Sequence, residues 1–153
     1  MKSSLIVALL ALGFVTRAVA ADAKPLEAPP TQPVIIDHAQ VEATFAKGLP
    51  PWFVNTSYKI QAGRRLVAGK PELHEHDTDI LWVTEGAATL VTGGTIVNQT
   101  TKSPGEFGGD KLEGSTTTRK VVKGDLIVIP QGIPHWFSEV EGTFLYFVVK
   151  VTK

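Results

Sequence analysis

From Trp52 onward the sequence predicts an all-β fold, an antiparallel barrel or double-sheet jelly roll, preceded by one short helix. Three observations carry this. Segments such as WFVNTSYKI, ILWVTEG, AATLVT, TIVNQ, TRKVV, DLIVIP, HWFSEV and TFLYFVVKV are short and rich in β-branched and aromatic residues. Gly, Pro, Asn or Asp separates many of them, at the close spacing of a sheet folded on itself. The chain of 153 residues contains no cysteine, so a core must hold it where a small stapled scaffold would use disulfides.

The elements in front of the sheet follow in order. Residues 1–20 read as a secretory signal peptide, with Lys2 as its positive start, Leu5 to Val15 as its apolar middle and Ala18-Val19-Ala20 as its cleavage site. The apolar run is short for a membrane span, which needs about 20 residues. A periplasmic or secreted location follows. Residues 21–51 form the next unit. Pro25, Pro29, Pro30 and Pro33 suit an extended tether. Asp37 suits a helix N-cap, Val41 and Phe45 share a face, and Gly48 suits a stop, which predicts a helix over residues 38–47. Pro50 and Pro51 end it. Residues 52–153 are the β-domain. Within it, Thr92-Gly93-Gly94-Thr95 fits a hairpin turn. Lys102 to Thr118, polar and glycine-rich, reads as a long loop, either a lid or a surface insertion.

Composition excludes several functions. Fifteen Lys and Arg balance fifteen Asp and Glu, and losing Lys2 and Arg17 with the leader would tilt the remainder towards acid. No basic footprint for nucleic acid or an anionic membrane is left. The only methionine is the first residue, so the mature chain offers no sulfur ligand, and any metal site must use nitrogen and oxygen donors.

Those donors concentrate in two stretches. In KPELHEHDTDILWVTEG, His74 and His76 are one residue apart, and on a strand residues i and i+2 face the same way. Asp79 adds a hard oxygen donor, and the mixture suits iron, manganese, nickel or zinc. In GDLIVIPQGIPHWFSE, the turns at Gly124-Asp125 and Pro130-Gln131-Gly132 fix the backbone, so the direction of His135 is set by the chain. Glu139 is read as solvated rather than as support for a histidine. His38, on the helix, is read as a surface residue.

These two stretches together resemble the cupins, small jelly-roll β-barrels. Gly69, His74, His76, Asp79 and Gly86 follow the order of that family's first motif. Gly124, Pro130, Gly132 and His135 match the second at every spacing, with Glu139 in place of an asparagine. Three departures stand out in the first motif. Four residues separate Gly69 from His74 where the family has five. The acid is Asp where the family has Glu, and two residues separate it from His76 where the family has three or four. Counting back from Gly86 assigns the acid's place to Asp79, with Asp77 as the alternative. The resemblance implies a divalent metal held by His74, His76, Asp79 and His135 at the barrel mouth, with open positions for water, dioxygen or a substrate. Fold does not select the reaction.

The resemblance extends to small exported bacterial cupins. A metal-dependent protein acting on a small molecule by oxidation, isomerisation or hydration-type chemistry is the leading expectation. A small-molecule or sugar-binding module without turnover is the alternative. Tyr58 and Lys59 fall on opposite faces of a strand, so at most one points inward. Arg64 and Arg65 read as a solvated turn, although an inward arginine would favour an acidic ligand. The apolar last strand offers a face for a homodimer, and its side chains read first as core.

Overall fold

A computed structural model of the chain describes residues 28–153; the leader assigned to residues 1–20 and the start of the tether lie outside them. Helix α1 spans His38–Lys47, where the sequence placed it. Asp37 caps it by accepting from the Gln40 backbone at 2.9 Å, and the Gln40 side chain accepts from the Asp37 backbone in return. Gly48 closes it in a left-handed conformation. Its buried Phe45 lies 5.3 Å from Phe147, and Trp52 donates to Thr44 Oγ1 at 3.1 Å, so the helix is tied to the outside of the sheet.

Nine strands follow among the described residues: β1 (Phe53–Val54), β2 (Tyr58–Arg65), β3 (Glu72–His74), β4 (Asp77–Val97), β5 (Thr100–Ser103), β6 (Glu106–Gly108), β7 (Lys111–Val122), β8 (Leu126–Ile129) and β9 (His135–Thr152). All pairings are antiparallel and form one curled sheet, as expected of a jelly roll. Strand β9 is its axis. It pairs with β2 along one edge and β4 along the other, and its first residue pairs with β3. Strand β4 pairs with β8 in its first half and β7 in its second. Gly86 marks the change. It has φ 74°, and a Cβ there would collide with the Thr143 carbonyl.

Two expectations are overturned. Thr92 to Thr95 is no hairpin. Strand β4 runs through it, and the register against β7 shifts between Gly93 and Thr95. The two glycines, at φ 82° and 70°, kink the strand as a bulge instead of reversing it. Lys102 to Thr118 is no loop either. It folds into β5, β6 and the first part of β7, with a tight turn at Pro104-Gly105. Strand β7 is exposed along nearly its whole length, so the apolar alternation that marks a half-buried strand is missing from its sequence.

Alternation is clear where the core lies. Leu81 and Val83 on β4 face Phe144, Tyr146 and Val148 on β9, with Phe137, Ile129, Val121 and Leu90 closing the cluster. Phe144 is fully buried, 5.1 Å from Phe137 and 5.3 Å from Tyr146 between ring centroids. Burying each such aromatic contributes roughly 2–3 kcal/mol of transfer free energy. Asp77 and Asp79 precede Leu81 and Val83 on the same inward face of β4, and Lys150 follows Val148 on that of β9. The core therefore grades into a polar site along two adjacent strands.

Candidate metal centre

Three cross-strand pairs assemble the site. Glu72 on β3 is opposite His135 on β9, His74 is opposite Glu106 on β6, and Asp79 on β4 is opposite Lys150 on β9. Glu72, His74 and His135 each direct one ligand atom to a common region, and those atoms lie within 4.8 Å of one another. Glu72 oxygens are 4.0 Å from His74 Nε2 and 3.9 Å from His135 Nε2. Asp79 Oδ2 is 3.6 Å and 3.8 Å from the same two nitrogens.

Both histidines are oriented from behind. His74 Nδ1 meets Glu106 Oε2 at 2.6 Å, and His135 Nδ1 meets the Ile133 carbonyl at 3.0 Å. A carboxylate or carbonyl can only accept, so each Nδ1 carries a proton, and the Lys150 ammonium, which can only donate, meets a lone pair on His74 Nε2. Burial pushes the His135 imidazole below its ordinary pKa, against the opposing pull of the Ile133 carbonyl, Glu72 and Asp79. A neutral imidazole backed by an oxygen on its second nitrogen is the usual form of a histidine ligand. Burial raises the pKa of Glu72, but His135, His74, Lys150 and Arg65 outweigh it and hold the carboxyl below its usual range. Two imidazole lone pairs and one ionised carboxylate, close together and largely buried, fit a divalent transition metal.

The expected convergence of His74 with His76 does not occur. Strand β3 ends at His74, and the chain bends through Glu75 and His76 before β4 begins. The His76 side chain is 59 % exposed, 3.8 Å from Glu75 and packed over Gly105. The i, i+2 relation holds instead between Glu72 and His74. Read two residues earlier, the first motif also regains its ordinary interval, because four residues separate His74 from Asp79. Asp79 is buried within the site, but its carboxylate is bonded to Lys150. Asp77, the alternative acid, lies away from the histidines' common point. It accepts from Lys59 Nζ and Thr152 Oγ1, each at 2.7 Å. Burial raises the pKa of Asp77, and the bonds from Lys59 and Thr152 reverse that and bring it below its ordinary value.

Three further residues were not singled out as inward-facing. Lys150 Nζ donates to Asp79 Oδ1 and Oδ2 at 2.7 and 2.8 Å and to His74 Nε2 at 2.8 Å. Lys59 is the inward member of the Tyr58-Lys59 pair. Arg65, expected in a solvated turn, faces inward at the end of β2, in phase with Lys59, Gln61 and Gly63. It stacks 5.4 Å from the Phe137 centroid, donates to Tyr146 Oη at 3.2 Å and reaches Glu72 at 3.4 Å. Two glycines make room for this arrangement. A Cβ on Gly63 would enter the Tyr146 ring, and one on Gly69 would meet the Arg65 guanidinium. Glu139 is exposed and bonded to Thr89, as the solvated reading required, and His38 is exposed on α1.

The pocket beside these groups measures about 100 Å³. Leu81, Phe137 and Val148 form its apolar wall, while Arg65, Glu72, Asp79, His135, Tyr146 and Lys150 supply its polar groups. Burial raises the Tyr146 pKa despite the nearby Arg65, so the phenol keeps its proton. The volume is well below the ~300–1,000 Å³ of drug-sized ligand sites. The arrangement suits a metal with a ligand of a few non-hydrogen atoms.

No curated protein matches the sequence. Among solved structures, BH2720 from Bacillus halodurans is similar at 15% identity and a TM-score of 0.55, over 80% of this chain and 83% of that one. Peruvianin-I, a cysteine peptidase from Thevetia peruviana latex, is similar at 14% identity and a TM-score of 0.42, over 63% of this chain and 51% of that one. An oxalate oxidase is similar at 19% identity and a TM-score of 0.45, over 63% of this chain and 42% of that one. The chain thus spans about half the length of peruvianin-I and less of the oxidase, and the likeness to BH2720 is one of fold alone. A cupin family model matches residues 69–153, which carry both motif stretches and all of the site except Lys59, Gln61 and Arg65. With that match over more than half its length, the chain belongs to the cupin family.

Proposed function

We propose that this cupin is an exported protein that binds a divalent transition metal through Glu72, His74 and His135 and acts on a small molecule beside it. The observation that carries the reading is the pair of buried histidines. Each has Nδ1 held by an oxygen and Nε2 aimed at the same region, with Glu72 within 4.0 Å of both. A metal here would supply Lewis-acid polarisation, or acidify a bound water, for isomerisation or hydration-type chemistry, and with dioxygen as oxidant a redox-active metal would support oxidation. The chain's own residues would do the rest. Arg65 would pair with an acidic group on the ligand, and the Tyr146 phenol would donate its proton to a ligand oxygen. Phe137 and Leu81 would exclude bulk water from the inner wall. Export rests on the apolar leader of residues 1–20.

A second reading, ligand binding without turnover, has its own support. The charged groups of the pocket are already paired, Arg65 with Glu72 and Lys150 with Asp79. Metal analysis of protein purified without chelator tests the metal reading. Close to one equivalent of iron, manganese, nickel or zinc is expected, either carried or taken up on titration. Less than about a tenth of an equivalent with no uptake would overturn it. Oxygen consumption during a small-molecule screen then separates oxidation from redox-neutral chemistry, and no turnover with measurable ligand binding selects the second reading.

A further inference from the structure

We propose that Lys150 is a built-in cation latch on the metal centre, holding His74 and Asp79 in the metal-free protein and displaced when the ion binds. The inference rests on the reading of Glu72, His74 and His135 as that centre.

An ammonium has three N–H groups and no acceptor. Lys150 spends all three inside the site, two on the oxygens of Asp79 and one on His74 Nε2. Its side chain is 13% exposed and that of Asp79 6%, so the pair is largely shielded from water. The neutral His74 ring, with its proton on Nδ1 towards Glu106, has one lone pair, at Nε2. That lone pair can serve Lys150 or a metal, and not both. Occupancy by one cation therefore excludes the other at this atom.

The surroundings suit an exchange. Asp79 Oδ2 is 3.6 Å from His74 Nε2 and 3.8 Å from His135 Nε2. Ligands on a tetrahedral metal with bonds of about 2.1 Å stand roughly 3.4 Å apart, so Asp79 needs to move only tenths of an ångström to become a further ligand once Lys150 lets go. Lys59, directly across from Lys150 on β2, cannot readily take over Asp79, because it is fixed to Asp77 at 2.7 Å. The four carboxylates Glu72, Asp77, Asp79 and Glu106 face three cationic side chains, Lys59, Arg65 and Lys150. Withdrawing the Lys150 head leaves a surplus of negative charge for a divalent ion to fill. The flexible lysine stem allows this, since it can stay packed while the head turns towards the pocket mouth. The latch lowers apparent metal affinity, because binding must first break three hydrogen bonds.

Calorimetric titration with zinc of the chelator-stripped protein tests this, using wild type, Lys150→Met and Lys150→Gln. Both variants should bind zinc more tightly than wild type, by about tenfold or more. Equal or weaker binding by folded variants, with wild type binding normally, overturns the latch and leaves the metal reading standing. No uptake by any of the three overturns both. A second measurement needs no substitution. Wild-type protein is acetylated with and without saturating zinc, and the modified lysines are read by peptide mass spectrometry. Lys150 should become severalfold more reactive with zinc while Lys59 does not change, and unchanged reactivity of Lys150 overturns the latch.

Discussion

Asp77 and Asp79 sit two residues apart on one strand, both buried and both bonded to a lysine, yet they belong to different parts of the molecule. Asp77 is held by Lys59 and Thr152, each at 2.7 Å, and Lys59 comes near a second carboxylate, Glu106, only at 3.9 Å. It ties the start of β4 to β2 and to the end of β9. The lysine of Asp79 is shared with a histidine and borders a pocket. The difference teaches that burial and charge pairing do not by themselves mark a functional carboxylate. What matters is whether its partner also hydrogen-bonds a candidate metal ligand, as Lys150 does and Lys59 does not.

The contrast can be broken from either side. The largest expected effect is on stability, in Asp77→Ala. Losing one member of a buried pair costs about 3–5 kcal/mol, and the partial exposure of Lys59 lowers this to roughly 2–3 kcal/mol. Denaturant unfolding should read that loss, while zinc affinity falls far less than for a ligand substitution, since only the freed Lys59, 3.9 Å from Glu106, can reach the site. A comparable loss of zinc affinity would mean that Asp77 belongs to the site. Glu106→Gln sharpens the other side. It weakens the support behind His74 and should lower metal affinity by about tenfold, read by the same titration, with little change in unfolding. The smallest effect concerns acid. The Asp77 pKa is lowered in the folded protein, so its contribution is complete above the unfolded value of about 3.9 and is lost as the pH falls through the lower folded value. Asp77→Asn should therefore flatten the stability profile below about pH 4, and a profile as steep as wild type would contradict the role given to this group.

The sequence disclosed the fold because its core strands alternate, and it disclosed His135 because Pro130 and Gly132 leave that residue little freedom. Glu72 was hidden by an assumption, that the strand carrying His74 also carries His76. A bend at Glu75 and His76 defeats it, and no Gly or Pro there announces the bend. Lys150 and Arg65 were legible in principle. Lys150 continues the inward series Phe144, Tyr146 and Val148, and a lysine in phase with buried residues signals a buried partner. Arg65 shares its phase with Lys59, but β2 lacks the apolar alternation that would say which face is inside. The first part of strand β7, before the TRKVV segment, was lost for the same reason, since neither of its faces is buried there.

The central claim is that the metal ligands are Glu72, His74 and His135, with His76 outside. Zinc titration of His74→Ala and His76→Ala side by side tests it most directly. His74→Ala should lose binding by about a hundredfold or more while His76→Ala binds as wild type does. Loss of binding in His76→Ala, or retention in His74→Ala, would contradict it.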